Sequence, residues 1–149
     1  MKLNQSFHAL LIFSVFLVLG GCQKSPTADD LLSHTPSIRE QAFKKLAKES
    51  TGKKKSLVPG MILGLRDNDP QINQRALDAL VIISTPAVSA LTTALQDTDP
   101  YVKAGCADSL GKIGPPAAPA IEALTKLLQD PHPLVVEEAQ IALDKIKQK

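Results

Sequence analysis

The sequence has few aromatic residues and few cysteines. It contains no tryptophan, one tyrosine and four phenylalanines among 149 residues, so aliphatic side chains and alanine must form any core. Two cysteines are too few for a disulfide framework. The formal charge is +2 overall, and it falls to +1, with 16 basic against 15 acidic residues, when residues 1–21 are left out. A balance of this kind gives no reason to expect nucleic-acid binding.

The N-terminus has the pattern of an export signal. Met1 and Lys2 supply a short positive start, and an almost wholly apolar run follows from Phe7 to Leu19. A helix of that length spans about 20 Å. It is too short for the ~30 Å hydrocarbon core of a membrane, but it is typical of the apolar region of a signal peptide. An ordinary secretory signal and a buried N-terminal helix are the alternatives.

The apolar run ends in Leu19-Gly20-Gly21-Cys22. This order of an aliphatic residue, two small residues and a cysteine resembles the lipobox of bacterial lipoproteins. The resemblance implies cleavage before Cys22 and acylation, with palmitate among the acyl chains, of its thiol and new amino group. Two or three acyl chains hold a protein on a membrane far more firmly than one. We therefore expect a signal peptide over 1–21, a lipidated Cys22 with a tether over 22–27, and a place in the bacterial cell envelope, either on the outer membrane or on the outer face of the inner membrane.

The rest of the chain repeats itself. The clearest marker is a proline preceded by a polar residue or histidine, which recurs at intervals of 30 to 34 residues as Pro36, Pro70, Pro100 and Pro133. Such a pair is a typical helix start, because the side chain accepts an unpaired backbone N–H and the proline has none to leave unpaired. Apolar residues then follow each marker proline at steps of four and three, which trace one helix face.

A second amphipathic pattern precedes the later marker prolines. It predicts opening helices over about 56–66, 86–96 and 117–129, each joined by a short acidic turn to the closing helix that starts at the proline. Two helices joined in this way pack antiparallel. The first unit has room only for a short opening helix over 28–33, which is expected of the terminal unit in a stack of repeats.

The third unit has the most specific pattern, Leu95-Gln96-Asp97-Thr98-Asp99-Pro100-Tyr101-Val102-Lys103 followed by Leu110-Gly111-Lys112-Ile113-Gly114. These segments resemble HEAT repeats, in the short variant that also occurs in phycobilisome lyases. The resemblance covers roughly residues 28–147. It implies an all-α fold, in which about four HEAT-like hairpins over 28–149 form an α-solenoid that curves into a short right-handed superhelix. Ankyrin repeats are the alternative, but their Thr-Pro start is found once, at Thr85-Pro86.

The cysteine, histidine and lysine residues that could bind or react are expected to have structural roles instead. Cys106 takes a position that is alanine in the other units, which predicts an inert core thiol. His34 and His132 lie in turns without a second ligand at metal spacing, so we expect solvated side chains and no metal site. The lysines 53–55 precede a predicted helix; a solvated loop is the favoured interpretation, and contact with anionic lipid is the alternative.

Three aspartates lie three residues before a marker proline, namely Asp67, Asp97 and Asp130. A residue that recurs from unit to unit serves the unit, so the pattern indicates turn capping rather than acid–base catalysis. The resemblance to HEAT repeats implies in addition that these aspartates form a ladder along the turns with a basic residue such as Lys103 or Arg39.

The sequence contains no Ser/His/Asp order, phosphate loop or zinc signature. We therefore predict a non-enzymatic scaffold without a cofactor, anchored to a membrane by lipid, that binds an unknown envelope protein. An enzyme or enzyme subunit related to the HEAT-like lyases and a purely structural envelope protein are the alternatives. The expected contacts are exposed positions of the closing helices, namely Gln74, Asp78, Asp108, Lys112, Glu137 and Lys145.

Overall fold

A computed structural model describes residues 25–148, which form eight α-helices and two 3₁₀ segments. The 3₁₀ segments are Thr85–Ala87 and Pro115–Ala120. No β-strand is found in this part of the chain, and the predicted all-α fold is confirmed. The helices are α1 (Ala28–Leu32), α2 (Pro36–Lys48), α3 (Thr51–Gly64), α4 (Pro70–Ile83), α5 (Val88–Ala94), α6 (Pro100–Ile113), α7 (Ile121–Leu127) and α8 (Pro133–Lys147).

The helices form a stack of four hairpins. The closing helices α2, α4, α6 and α8 each begin at a marker proline, and each packs against the closing helix of the next unit. The opening helices, with their 3₁₀ segments, pack against the closing helices. One apolar core runs along the stack, as expected where each unit buries its apolar face against its neighbours. Its largest fully buried side chains include Leu31, Leu46, Met61, Leu80, Leu91, Leu110 and Leu124.

Acidic turns fix the starts of the closing helices. In α4 and α6, the N-cap side chains of Asp69 and Asp99 accept the backbone N–H two residues on, at 2.8 and 2.9 Å. The predicted cap is therefore present in these two units. The other two positions, Thr35 and His132, make no side-chain cap hydrogen bond.

The three periodic aspartates have one structural role. Asp67, Asp97 and Asp130 each accept the backbone N–H of the residue two positions later, at 2.8 to 2.9 Å. Each carboxylate thereby closes the turn that precedes a closing helix. The capping interpretation is confirmed for all three.

Ion pairs join successive turns. Arg66 donates to Asp97 at 2.6 Å, and Lys103 is paired with Asp130 in the next unit. The Lys103 ammonium, followed by the backbone N–H of His132, lowers the pKa of the Asp130 carboxyl. Arg39 does not join this ladder, because its guanidinium donates at 2.8 Å to the carbonyl of Ser33, just beyond the end of α1.

The opening helices differ from the prediction. α3 begins at Thr51 rather than near 56, so the lysines 53–55 lie at the start of a helix and not in a loop. In the third and fourth units a 3₁₀ segment replaces the expected first turns. The fourth unit has prolines at 115, 116 and 119, which remove N–H donors and disfavour the α conformation of the preceding residue.

The apolar run and Cys22 lie outside the described residues, so the signal peptide and the lipidation stay predictions. Among residues 25–148, no single helix is long and apolar enough to cross a membrane. Pro70–Ile83 and Thr85–Ala94 reach that length and composition only together, and they are bent by 109°.

Candidate functional site

A groove of about 940 Å³ lies across the closing helices α2 and α4 and reaches α6. Three apolar side chains, Phe43, Val81 and Ile82, contribute to its wall together with charged side chains of both signs. It is lined by Pro36, Arg39, Glu40, Phe43, Asp78, Val81, Ile82 and Lys112.

The helix register positions the apolar side chains. Phe43 is half-buried and packs against the core, while part of its surface stays open to the groove. Ile83 is 1% exposed and belongs to the core, so its neighbour Ile82 points away from the core and is 36% exposed. The groove therefore presents apolar surface held in place by packing underneath.

Three of the four charged side chains of the groove, all except Arg39, have a hydrogen-bond partner within their own helix. Glu40 accepts from Lys44 at 2.6 Å, and this contact lowers the pKa of the Glu40 carboxyl. The other two pairs have the same i, i+4 spacing, which places side chains on one helix face. They are Gln74 with Asp78 and Lys112 with Asp108, both at 2.8 Å.

The family model of HEAT repeats matches residues 58–144, which is more than half of the chain. This chain belongs to the HEAT repeat family. The match begins in the second opening helix and ends in the last closing helix, so it covers three of the four hairpins described above.

Solved structures share this architecture. Human deoxyhypusine hydroxylase in complex with glycerol matches with a TM-score of 0.55 and 22% identity, over 91% of this chain and 54% of that one. Two engineered proteins match with TM-scores of 0.45 and 0.44 and identities of 26% and 25%, over 80% and 81% of this chain. The HEAT chain spans 61%, 54% and 36% of these three structures. At such identity the likeness to the hydroxylase shows the fold alone. No curated protein sequence matches the chain.

The structure brings together only part of the predicted contact set. Asp78 and Lys112 line the groove of the HEAT stack. Gln74 and Asp108 lie one helical turn away and pair with them. Glu137 and Lys145 are exposed on α8, outside the residues that line the groove.

Sequence reasoning missed the apolar lining of the groove. Ile82 stands twelve residues after its marker proline, a position that is lysine in the other three units, namely Lys48, Lys112 and Lys145. An isoleucine at a position that is lysine in the other units indicates an apolar side chain on an exposed face. The partner side chain, Phe43, lies in another unit and has no comparable signal.

A second, smaller depression of about 170 Å³ lies between α4, α6 and α8. Asp108 and Glu138 both line it. Burial, followed by the charges of Asp108 and Glu137, raises the pKa of the Glu138 carboxyl. Most of the other residues that line this depression are apolar, among them Leu65, Leu77 and Leu134.

Cys106 and the histidines take no part in the groove. The Cys106 side chain is fully buried, and burial, together with the charge of Asp97, raises the pKa of its thiol to about 12. His34 is exposed, with Nε2 3.7 Å from Asp69. His132, expected to be solvated, is half-buried against the ring of Tyr101, with centroids 6.0 Å apart. Within residues 25–148, no three His, Cys, Asp or Glu side chains are grouped to hold a metal ion.

Proposed function

We propose that this HEAT-repeat chain is a non-enzymatic, lipid-anchored scaffold of the bacterial cell envelope, which binds a partner protein through the groove over α2 and α4. The groove is the observation that carries the proposal, because it presents Phe43, Val81 and Ile82 on a helical face. Extended faces of stacked repeats are the usual binding surfaces of such proteins.

The chemistry of the groove suits a protein segment with an apolar anchor and flanking charges. Apolar side chains at the centre of an interface contribute most of the binding energy, and a polar rim excludes water around them. Charged side chains of both signs would orient the partner by attracting complementary charges. The acidic ones are Glu40 and Asp78, and the basic ones are Arg39 and Lys112. The helices that line the groove are held by the core, so little ordering accompanies binding.

A swap between units tests the groove. Ile82→Lys introduces the residue that the other units have at this position, so we expect the fold to tolerate it, with an unchanged circular dichroism spectrum and melting temperature. Recovery of the partner with the purified protein should fall about ten-fold or more, because an apolar anchor is lost. The matched control is Leu63→Lys, on α3, where the leucine is 67% exposed and does not line the groove. Equal recovery with both variants would contradict the proposed site.

The lipid anchor has a separate test. The residues Leu19-Gly20-Gly21-Cys22 support acylation at Cys22, and the variant Cys22→Ser removes the thiol that would carry the lipid. Palmitate labelling should then be lost, and the protein should leave the membrane fraction. Continued labelling of Cys22→Ser would contradict the anchor, whatever the groove binds.

A further inference from the structure

Positive charge is concentrated at one corner of the stack. Residues 44–55 contain six lysines and one glutamate, a net charge of +5, whereas the rest of the described chain, residues 25–43 and 56–148, contains eight basic and fourteen acidic residues, a net charge of −6. The net charge of the whole chain is near zero, but positive and negative charges are therefore distributed unevenly along it. The basic corner, as we call it, consists of Lys44, Lys45, Lys48, Lys53, Lys54 and Lys55, at the end of α2 and the start of α3.

The basic corner adjoins the first described residue. The Lys53 ammonium is in hydrogen-bond contact with the Ser25 hydroxyl, and Lys45 lines the same depression of about 290 Å³ as Ser25. Lys54 donates to the carbonyl of Ala47 at 3.2 Å, which ties α3 to the last turn of α2. These contacts hold the corner beside the point at which the chain enters the stack.

The distance to the predicted anchor is short. Ser25 is three residues after Cys22, and three residues span at most about 10 Å. An acylated Cys22 lies at the membrane surface, so this surface would be within about 10 Å of Ser25. The basic corner would then lie close to the lipid headgroups, together with the start of α1, whose Asp30 lines the same depression as Ser25 and Lys45.

Stability of the helix does not account for these lysines. Lys53, Lys54 and Lys55 lie at the N-terminus of α3, whose first turn contains no acidic residue. The N-terminal end of a helix carries partial positive charge, so cations there are unfavourable and anions are favourable. A negatively charged surface against this end would offset both the helix dipole and the mutual repulsion of the lysines.

We propose that the basic corner lies on the anionic lipid headgroups of the membrane in which Cys22 is anchored. The inference rests on the proposed function, since the anchor brings the surface within reach. Lys44 is paired with Glu40 and Lys54 donates to the carbonyl of Ala47, which leaves four lysines for the surface, and clusters of four to eight are typical of anionic-lipid binding. The rest of the described chain has a net negative charge and is repelled by the same surface, which favours an orientation with the basic corner toward the bilayer.

Lysine footprinting on the intact lipidated protein tests the orientation. The protein is reconstituted in vesicles of phosphatidylcholine alone or of phosphatidylcholine with phosphatidylglycerol, acetylated briefly, and analysed by mass spectrometry. On the anionic vesicles, acetylation of Lys45, Lys53 and Lys55 should slow about five-fold. Lys126 and Lys147, exposed at the far end of the stack, should be unchanged. Salt at about 1 M, where the screening length is roughly 3 Å, should remove the protection.

Three results would overturn the orientation. The first is that the corner lysines are acetylated at the same rate on both vesicle types. The second is that anionic vesicles protect Lys126 and Lys147 as much as the corner lysines. The third is that an added DNA duplex protects the corner lysines and anionic lipid does not. The two proposals fail separately. If the purified chain carries no acyl group, the anchor is wrong, and the unacylated chain is then mixed with excess anionic vesicles. Protection of the corner would still support the lipid surface, and its absence would reject that as well.

Discussion

The second and third units end their closing helices differently. Residues 80–84 of α4 read Leu-Val-Ile-Ile-Ser, and residues 110–114 of α6 read Leu-Gly-Lys-Ile-Gly. The difference is visible in the packing, because α6 contacts α8 far more extensively than α4 contacts α6. At Gly111, an added Cβ would be 2.8 Å from the Cα of Ala142, so only glycine allows this approach.

Three substitutions in this short segment distinguish the second unit from the third. Val81 stands where Gly111 stands in the next unit, and its bulk is consistent with the less extensive contact between α4 and α6. Ile82 replaces a lysine and supplies the exposed apolar surface of the groove. Ser84 replaces Gly114 at a turn with positive φ in both units. The groove therefore lies where the second unit departs from the pattern of the third.

The largest effect on stability should come from giving the third unit the valine of the second unit at the close contact between α6 and α8. Gly111→Val introduces the residue of the second unit, and its Cβ would overlap the backbone of α8, so the helices must separate. We expect the free energy of unfolding to fall by about 3 kcal/mol, measured by urea denaturation. Gly52→Val is the control, because nothing lies within 4 Å of a Cβ there. A loss of similar size in both variants would show that close packing is not the cause.

The turn after the closing helix should give a smaller effect of opposite sign. Ser84 has φ 60° and ψ −132°, and Gly114 has φ 74° and ψ −142°, a region that is essentially restricted to glycine. Ser84→Gly should therefore raise the free energy of unfolding by about 1 kcal/mol, and Gly114→Ser should lower it by a similar amount. Thermal denaturation of the two reciprocal variants is the measurement. Destabilisation by Ser84→Gly would contradict the strain.

The smallest effect concerns Glu138, which lines the depression between α4, α6 and α8 together with Asp108. The raised pKa of Glu138 means that its ionised form is disfavoured in the folded state, so folding is destabilised as pH rises above about 4. Glu138→Gln should then stabilise the protein at neutral pH by a few tenths of a kcal/mol, and the gain should vanish below about pH 4. Glu122→Gln is the control, because Lys126 lowers the pKa of that carboxyl. A gain for Glu138→Gln that persists in acid would exclude the charge as its cause.

Much of the fold was readable from the sequence because each unit repeats the same local chemistry. A marker proline after a polar residue predicts the start of every closing helix, and all four begin there. The opening helices were less predictable. The prolines near 115 permit a 3₁₀ segment as well as a helix N-terminus, and the start of α3 at Thr51 has no proline to mark it.

The groove was only half predictable. Asp78 and Lys112 were expected on the exposed face, and the lysine register singles out Ile82. Phe43 lies in a different unit, and whether it meets Ile82 depends on the spacing of α2 and α4. That spacing results from packing along the whole core, which no single position encodes. For the basic corner, the sequence offered contact of the lysines 53–55 with anionic lipid only as the alternative, since only the fold brings Lys45 and Lys53 together beside Ser25.

Photo-crosslinking in cells tests the central claim most directly. A photoreactive amino acid is placed at position 82, in the groove, or at position 63, on the exposed side of α3. The membrane fraction is isolated after irradiation, and the adducts are identified by mass spectrometry. A lipid-anchored scaffold that binds through the groove should give one dominant protein adduct from position 82 and none from position 63. No adduct from position 82, or the same adducts from both positions, would contradict it.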